Sequence, residues 1–347
     1  MPIGSGGNRK GQKHPLVLSS ASKLTVIKLG FFRTASELLG LRPLWEKLCC
    51  GGSATIFQNF ELNCLAAHVF AEREEPFIIS AEASYGAAII PAVLRQGDRT
   101  IRLLGEELFD YRAFLQQGES EVLCFALAAL AKQQMPLEIV ALRSAEAHYI
   151  PEGLQLHDFA AAPGIKAAEM PEQVFSSMHL RLARNLRRLQ RLGYEFKSYN
   201  GTHSSLLAEI YKRKASQDRA SLFHDALRVS FMTEAALSLA SQFEIFTLEC
   251  GGHMAAALVT LRDDPVRRFY TGWFAPELSK HSPCLSLMYE VTRQSLAAGL
   301  DCDYMTGEQP YKLRLANSAA PLFRLRATPE ELSGLTGTAV PELHLAS

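Results

Sequence analysis

The stretch FEIFTLECGGHMAAALVTLRDDPVRRFYTGW, Phe243–Trp273, reads as three strands joined by two tight turns. FEIFTLE, MAAALVTL and RRFYTGW carry the β-branched, aromatic and small apolar residues of a buried, pleated surface. Gly251–Gly252 and Asp263–Asp264–Pro265 separate them, and glycine tolerates the positive φ that such turns often need. A helix-period segment follows, LSLMYEVTRQSLAAGL, and then a short strand-like run, CDYM. Meander, helix and further strand make one α/β unit.

The same order occurs earlier in the chain. PFIISA (Pro76–Ala81), AAIIPAVL (Ala87–Leu94) and RTIRLLG (Arg99–Gly105) are separated by turns at Tyr85–Gly86 and Gly97–Asp98. The helical EVLCFALAALAKQ and the strand LEIVAL complete the set. Gly86 to Gly252 and Asp98 to Asp264 are each 166 positions apart. The chain therefore reads as a duplicated α/β unit, each half a mixed twisted sheet flanked by helices. Helices are also expected at Ala35–Leu48 and Glu61–Phe70. The division falls near Pro163–Ala168, where DFAAAPGIKAAEMP thins into small residues and prolines. This gives a basic, glycine-rich tail over 1–20, halves over 21–165 and 166–335, and a second tail over 336–347.

A chain of 347 residues fits such a pair, since domains run to roughly 100–200 residues. Lys and Arg number 36, as do Asp and Glu, so net charge points to no nucleic acid or anionic membrane. No run approaches the about 18 apolar residues of a spanning helix, and no apolar core follows the amino terminus at signal-peptide length. Seven cysteines without a CxxC pair fit reduced thiols in a cytoplasm better than disulfides or zinc.

Between the halves lies LRLARNLRRLQRLG. On a helix, Arg181, Arg184, Arg188 and Arg191 fall in one narrow arc and Leu182, Leu186 and Leu189 in another. Two readings stay open: a solvated basic face over a packed leucine seam, or an anion site.

RLARNLRRLQRLG, then GGHMAAALVTL, then FYTGWFAPELSKHSPCLSL, then DYMTGEQPYKLRLA resemble the CelD/BcsL-type branch of the GNAT acetyltransferase superfamily. RPLWEKL, ATIFQNFEL and LLGEELFDY are similar to the amino-terminal half of that branch, so the resemblance covers roughly residues 24–328. A more distant similarity reaches the Fem-type transferases, which also carry two GNAT-like units. The resemblance implies two tandem GNAT-like units and acyl transfer from acetyl-CoA or another acyl-CoA, without metal. The acceptor would be an amine or hydroxyl of a sugar-, peptide- or envelope-related molecule, as in polysaccharide biosynthesis. The alternatives are a Fem-like aminoacyl transferase fed by charged tRNA, and a non-catalytic assembly module.

Such a unit needs a strand with free backbone N–H groups for the acyl carbonyl, a helix N-terminus for the pyrophosphate, and a proton acceptor. By resemblance the strand is Phe269–Trp273, giving Tyr270, Thr271, Gly272 and Trp273 as cofactor-binding residues. The helix start adds Ser282, Pro283, Cys284 and Leu285. Cys284 departs from the pattern, since the branch often has glycine there, and this departure favours the non-catalytic alternative. The family signature DxxxGxxxYK reads here as Asp303, Gly307, Tyr311 and Lys312. It implies a catalytic set of Lys312, Glu308, Asp303 and Tyr311 lining a cleft between the halves. Arg184, Asn185 and Arg188 would bind an anionic acceptor. Lys312 is expected to be exposed and to add at most about 1 kcal/mol of stability. A Cys284 nucleophile is a lesser possibility, and Trp45 and Trp273 also suit packing.

Overall fold

The computed structural model describes residues 14–20, 23–50 and 54–336. The first half contributes β1 (His14–Ser20), β2 (Lys23–Phe32), β3 (Glu75–Pro76), β4 (Ile78–Ala83), β5 (Gly86–Ile90), β6 (Ala92–Arg95), β7 (Thr100–Leu103), β8 (Leu115–Gly118), β9 (Leu137–Arg143) and β10 (Leu156–Ile165). The second contributes β11 (Glu195–Asn200), β12 (Phe243–Cys250), β13 (His253–Asp263), β14 (Val266–Phe274), β15 (Asp301–Asp303) and β16 (Ser318–Ala327). Of the expected amino-terminal tail, residues 1–13 lie outside the described residues, while His14–Ser20 pairs with β2 as β1. Of the expected carboxy-terminal tail, 337–347 also lie outside them.

In the second half the meander forms as read: β12, β13 and β14 pair antiparallel in sequence order. The helix Pro283–Ala297 then crosses to β15, which runs parallel to β14. Its sheet-facing side carries Ser286, Thr292 and Ser295, all fully buried, and their hydroxyls bond to His281 O, Tyr304 Oη and Val291 O. Small, internally satisfied side chains let the helix pack without stranding a polar atom.

The first half departs from the simple meander. Its hairpin, β3–β4 against β5–β6, is interrupted at Phe77 and Pro91. Proline has no N–H to give the ladder, and the hairpin divides there between two sheets. The outer part joins β1, β2 and β8 in a five-stranded sheet, in the order β1-β2-β4-β5-β8. The inner part joins the long sheet, whose order is β11-β12-β13-β14-β15-β10-β16-β9-β7-β6-β3. The helix Ser120–Leu130 leads to β9, which runs parallel to β7.

That order contains an exchange. The last strand of the first half, β10, sits beside β15 of the second, and β16 of the second sits beside β9 of the first. The two exchanged strands pair with each other from Leu156↔Leu325 to Gly164↔Ser318. The small-residue run Asp158–Ile165, read from sequence as a thinning linker, is therefore a central strand. Its small residues have a packing reason: a Cβ on Gly164 would stand 2.8 Å from the backbone oxygen of Cys302 on β15.

One hydrophobic core spans both halves, bringing Phe57, Phe70 and Phe109 against Tyr211, Phe231 and Trp273. The rings of Phe70 and Phe231 lie 5.1 Å apart. Separate cores fill the two sides, one around Leu123, Leu127 and Leu325, the other around Leu186, Leu248 and Leu287.

Candidate active site

Strands β14 and β15 run together for three residues only, Val266↔Asp301, Arg267↔Cys302 and Arg268↔Asp303, and then part. The cause lies just beyond β15. Met305 (φ 66°) and Gly307 (φ 102°) both take left-handed conformations, which turn the chain out of strand geometry. On its other side β14 stays paired with β13. The register slips between Val259↔Thr271 and Thr260↔Phe269, leaving Tyr270 as a bulge, a feature that re-aims side chains beside sites. From Phe269 onward one edge of β14 has no neighbouring strand among the described residues, and a cavity of about 580 Å³ opens along it.

At the point of divergence a buried clasp holds the two strands. The Arg268 guanidinium, 5% exposed, bonds the carboxylate of Asp303 across the last paired position. Its Nε donates to Asp263 Oδ2 at 3.0 Å. The hydroxyl of Tyr111, from the first half, lies 2.8 and 2.9 Å from the two Asp303 oxygens and donates to them. Met305 N–H donates to Asp303 Oδ1 at 2.8 Å. Burial, aided by the Asp303 charge, raises Tyr111 far above its ordinary range and keeps it a donor. Asp263 also accepts from Ile56 N–H at 2.7 Å, so the clasp reaches across to the first half twice. Asp303, expected among the catalytic residues, does not line the cavity. Its oxygens are taken by Arg268, Tyr111 and the backbone, and it acts as a positioning residue.

The residue before Tyr111 was not foreseen as a site residue. Asp110 lines the cavity together with Lys312. Burial pushes its carboxyl up to about 6, helped by Asp303 and opposed by Lys312 and Arg112. Asp110 is partly accessible, as a cavity-lining residue must be, while protein surrounds it closely enough for desolvation to dominate. The short helix Pro310–Leu315 brings Lys312 to the same cavity. Lys312 is 7% exposed, and its Nζ donates to Thr306 O at 2.7 Å and to Met305 O at 3.3 Å. Burial lowers its pKa, opposed by Asp110 and Asp303.

This corrects the expectation of an exposed lysine. Removing the ammonium leaves the Met305 and Thr306 carbonyls without their donor and takes away a positive charge that favours the Asp110 carboxylate. Lys312→Ala is therefore expected to destabilise the fold by about 2–4 kcal/mol, read from the urea midpoint at unchanged slope. A loss below about 1 kcal/mol would show that solvent replaces the ammonium freely.

Tyr311, the residue before it, is 42% exposed yet lines the cavity, where desolvation by the surrounding protein raises its phenol to about 12. Glu308 is exposed and outside the cavity lining, so no geometry supports the catalytic role expected of it. At the other end, Tyr270, Thr271 and Gly272 line the cavity, as do Ser282, Pro283, Cys284 and Leu285. Trp273 does not. It points into the core, 6% exposed, with the Arg213 guanidinium 5.0 Å from its ring centre. Ser282 is left-handed (φ 46°) and Pro283 occupies the first helical position. First-turn N–H groups have no intrahelical acceptor, and here those belong to Cys284 and Leu285. Lys214, from the helix Ser204–Gln217, lines the same end of the cavity.

Cys284, which departs from the glycine of the family pattern, has space for its side chain. A Cβ added to Gly272 would stand 2.7 Å from the Cys284 sulfur, so the bare glycine on β14 makes room for the thiol. Burial raises that thiol to about 11, which leaves it protonated at neutral pH and unsuited to attack.

Arg184, Asn185 and Arg188 stand on the helix Leu180–Arg191, and none of them lines the cavity. Asn185 is buried with Leu182, Leu186 and Leu189, whereas Arg184 and Arg188 face solvent. Acceptor binding by these three inside the cleft is thus not what the geometry supports. Asp110 was hidden for a different reason. It lies in a loop without periodicity, and its neighbours Lys312, Thr306 and Asp303 are about 200 residues away in sequence.

A mixed sheet with a parallel pair that splays beside a helix N-terminus is the arrangement that decides the fold. Residues 176–313 match the acetyltransferase (GNAT) domain family. The matched stretch takes in the splayed strands, the helix Pro283–Ala297 and Lys312. The fold is mixed α/β of GNAT type, its sheets flanked by helices.

Solved structures agree on that fold. The C-terminal domain of a putative lysylphosphatidylglycerol synthetase from Agrobacterium fabrum superposes with a TM-score of 0.55 at 8% identity, covering 86% of this chain and 94% of that one. L-PGS from Bacillus licheniformis gives 0.52 at 10% identity, covering 81% and 90%. FemX gives 0.51 at 9% identity, covering 81% and 95%. At such identities the likeness is one of fold. No curated protein matches the sequence.

Proposed function

We propose that this protein transfers an acyl group, acetyl in the simplest case, from acyl-CoA to an amine or hydroxyl of a sugar-, peptide- or envelope-related acceptor. The resemblance of the sequence motifs to the CelD/BcsL-type branch supports an acceptor from polysaccharide biosynthesis. One observation carries the reading: the edge of β14 that leaves β15 lines one cavity together with a helix start, Asp110 and Lys312. The residues present suit acyl-CoA. The helix dipole, the N–H groups of Cys284 and Leu285 and the Lys214 ammonium favour a pyrophosphate. The gap between β14 and β15 leaves backbone donors for an acyl carbonyl.

Bound there, acyl-CoA supplies a thioester carbon open to attack. N–H groups on the free edge of β14 donate to the carbonyl oxygen as negative charge gathers on it. Asp110, as carboxylate, takes the proton from the attacking nitrogen or oxygen. Lys312 keeps a positive charge beside that carboxylate. Tyr311, a phenol that stays protonated at neutral pH, can give a proton to the departing sulfur. The new C–N or C–O bond forms as the C–S bond breaks, and one proton is taken up while another is released.

Acetyl-CoA is expected to raise the melting temperature in a concentration-dependent way. A ligand at a hundred times its dissociation constant adds about 2.7 kcal/mol. Free thiol should then appear when amino sugars or peptides are supplied. A flat melting temperature across acyl-CoA chain lengths would remove CoA as the donor.

A further inference from the structure

We propose that the exposed face of the helix Leu180–Arg191, with the tip of the helix Glu172–Met178 before it, docks the protein onto an anionic lipid surface. The leucine seam of the longer helix packs inward, against the helix Pro283–Ala297. Its outer face, an arc of about 120°, holds Arg181, Arg184, Arg187, Arg188 and Arg191, all exposed. None of the five has a carboxylate partner among the described residues. Arg184 and Arg187 bond only to carbonyls of their own helix. The carboxylates on the neighbouring helices, Glu172 and Glu290, are both taken by Arg293. Five uncompensated guanidinium groups in a chain of zero net charge make a strong local field that calls for an anionic partner.

The apolar residues around this stripe select the kind of anion. Val174, Met178, Leu180 and Leu192 are 46, 63, 56 and 55% exposed. Val174, Met178 and Leu180 gather where the two helices meet, and Leu192 closes the far end of the stripe. Arginines that meet headgroups beside aliphatic side chains that enter the acyl boundary are the composition of an interfacial helix. Nucleic acid would be served by the charge and would leave the four aliphatic groups without a role. The same helix touches the turn Pro276–His281, which lends Ser279 to the cavity wall and exposes Lys280. Docking on this face therefore brings the cavity close to the lipid surface.

The test is flotation of the full chain with phosphatidylcholine vesicles, with and without about 30% phosphatidylglycerol. Binding should require the anionic lipid and weaken as salt rises. Arg187→Glu/Arg191→Glu should weaken it by roughly tenfold or more. Met178→Ser/Leu180→Ser, which leaves the charge intact, should weaken it by several-fold, with melting temperatures of both variants near the parent's. Equal partition onto neutral vesicles, or none onto either kind, overturns the proposal. So does anionic binding indifferent to Met178 and Leu180 and reproduced by RNA in solution, since the face would then read charge alone.

Discussion

Asp110→Asn is expected to lower kcat by about 10²- to 10⁴-fold, the range for loss of a positioned general base. In the parent, kcat/KM should rise with pH through an apparent pKa near 6, the value to which burial lifts this carboxyl. Below that pH the base carries a proton and cannot take another, so activity falls on the acid side and levels off above neutrality. The variant should lose that limb of the profile. Stability should move the other way. A carboxyl with a folded pKa above its unfolded one favours the fold while protonated, and this contribution fades as pH rises through about 6. At neutral pH the parent therefore carries a desolvated charge that asparagine lacks. The variant should melt at the same temperature or higher, by about 1–3 kcal/mol at most. An inactive variant that also melts far lower would mark Asp110 as structural, and one that retains full turnover would take the base assignment away.

Asp303→Ala is expected to destabilise the protein by about 3–5 kcal/mol, because it leaves the buried guanidinium of Arg268 without its main partner. The loss has three parts: the ion pair across the last rung of β14 and β15, the acceptor of the Tyr111 hydroxyl, and the acceptor of Met305 N–H. Arg268→Leu should cost less on top of Asp303→Ala than in the parent, since the two belong to one network. A urea melt of the four proteins of the cycle measures this coupling, and independent, additive effects would show that the clasp is not one unit. Turnover should fall in the folded variant as well. Tyr111 would lose its anchor, and with it the adjoining Asp110 its fixed place.

How much of this could be read from residues alone divides along lines of sequence distance. The meander Phe243–Trp273 was legible because turns and alternating burial are local. Gly251–Gly252 and Asp264–Pro265 sit at the turns of the folded chain. Tyr270 to Gly272 and Ser282 to Leu285 were legible through the motif, and the structure puts them on one cavity. Trp273 was misplaced because side chains alternate along a strand, and its neighbours' position on the cavity puts it in the core. Asp303 and Lys312 were seen as polar residues near a turn, but nothing local tells that one meets Arg268 and that the other is buried. The exchanged strands were missed for a chemical reason. Pro163 and Pro321 both interrupt strand-like runs, and proline in such a run argues against a central strand.

The exchange of β10 and β16 also governs how the molecule can move. In a two-lobed enzyme hinged by a linker, lobes swing apart to admit a substrate. Here the two lobes share one unbroken ladder, β15-β10-β16-β9, and separating them would mean breaking backbone hydrogen bonds in the middle of a sheet. Entry to the site must therefore be governed by what borders it locally: the turn Pro276–His281, the left-handed stretch at Met305–Gly307 and the loop that carries Asp110. Specificity for an acceptor is then a matter of loop shape on a rigid frame, and variation in those short segments can retune it while the sheet beneath stays as it is.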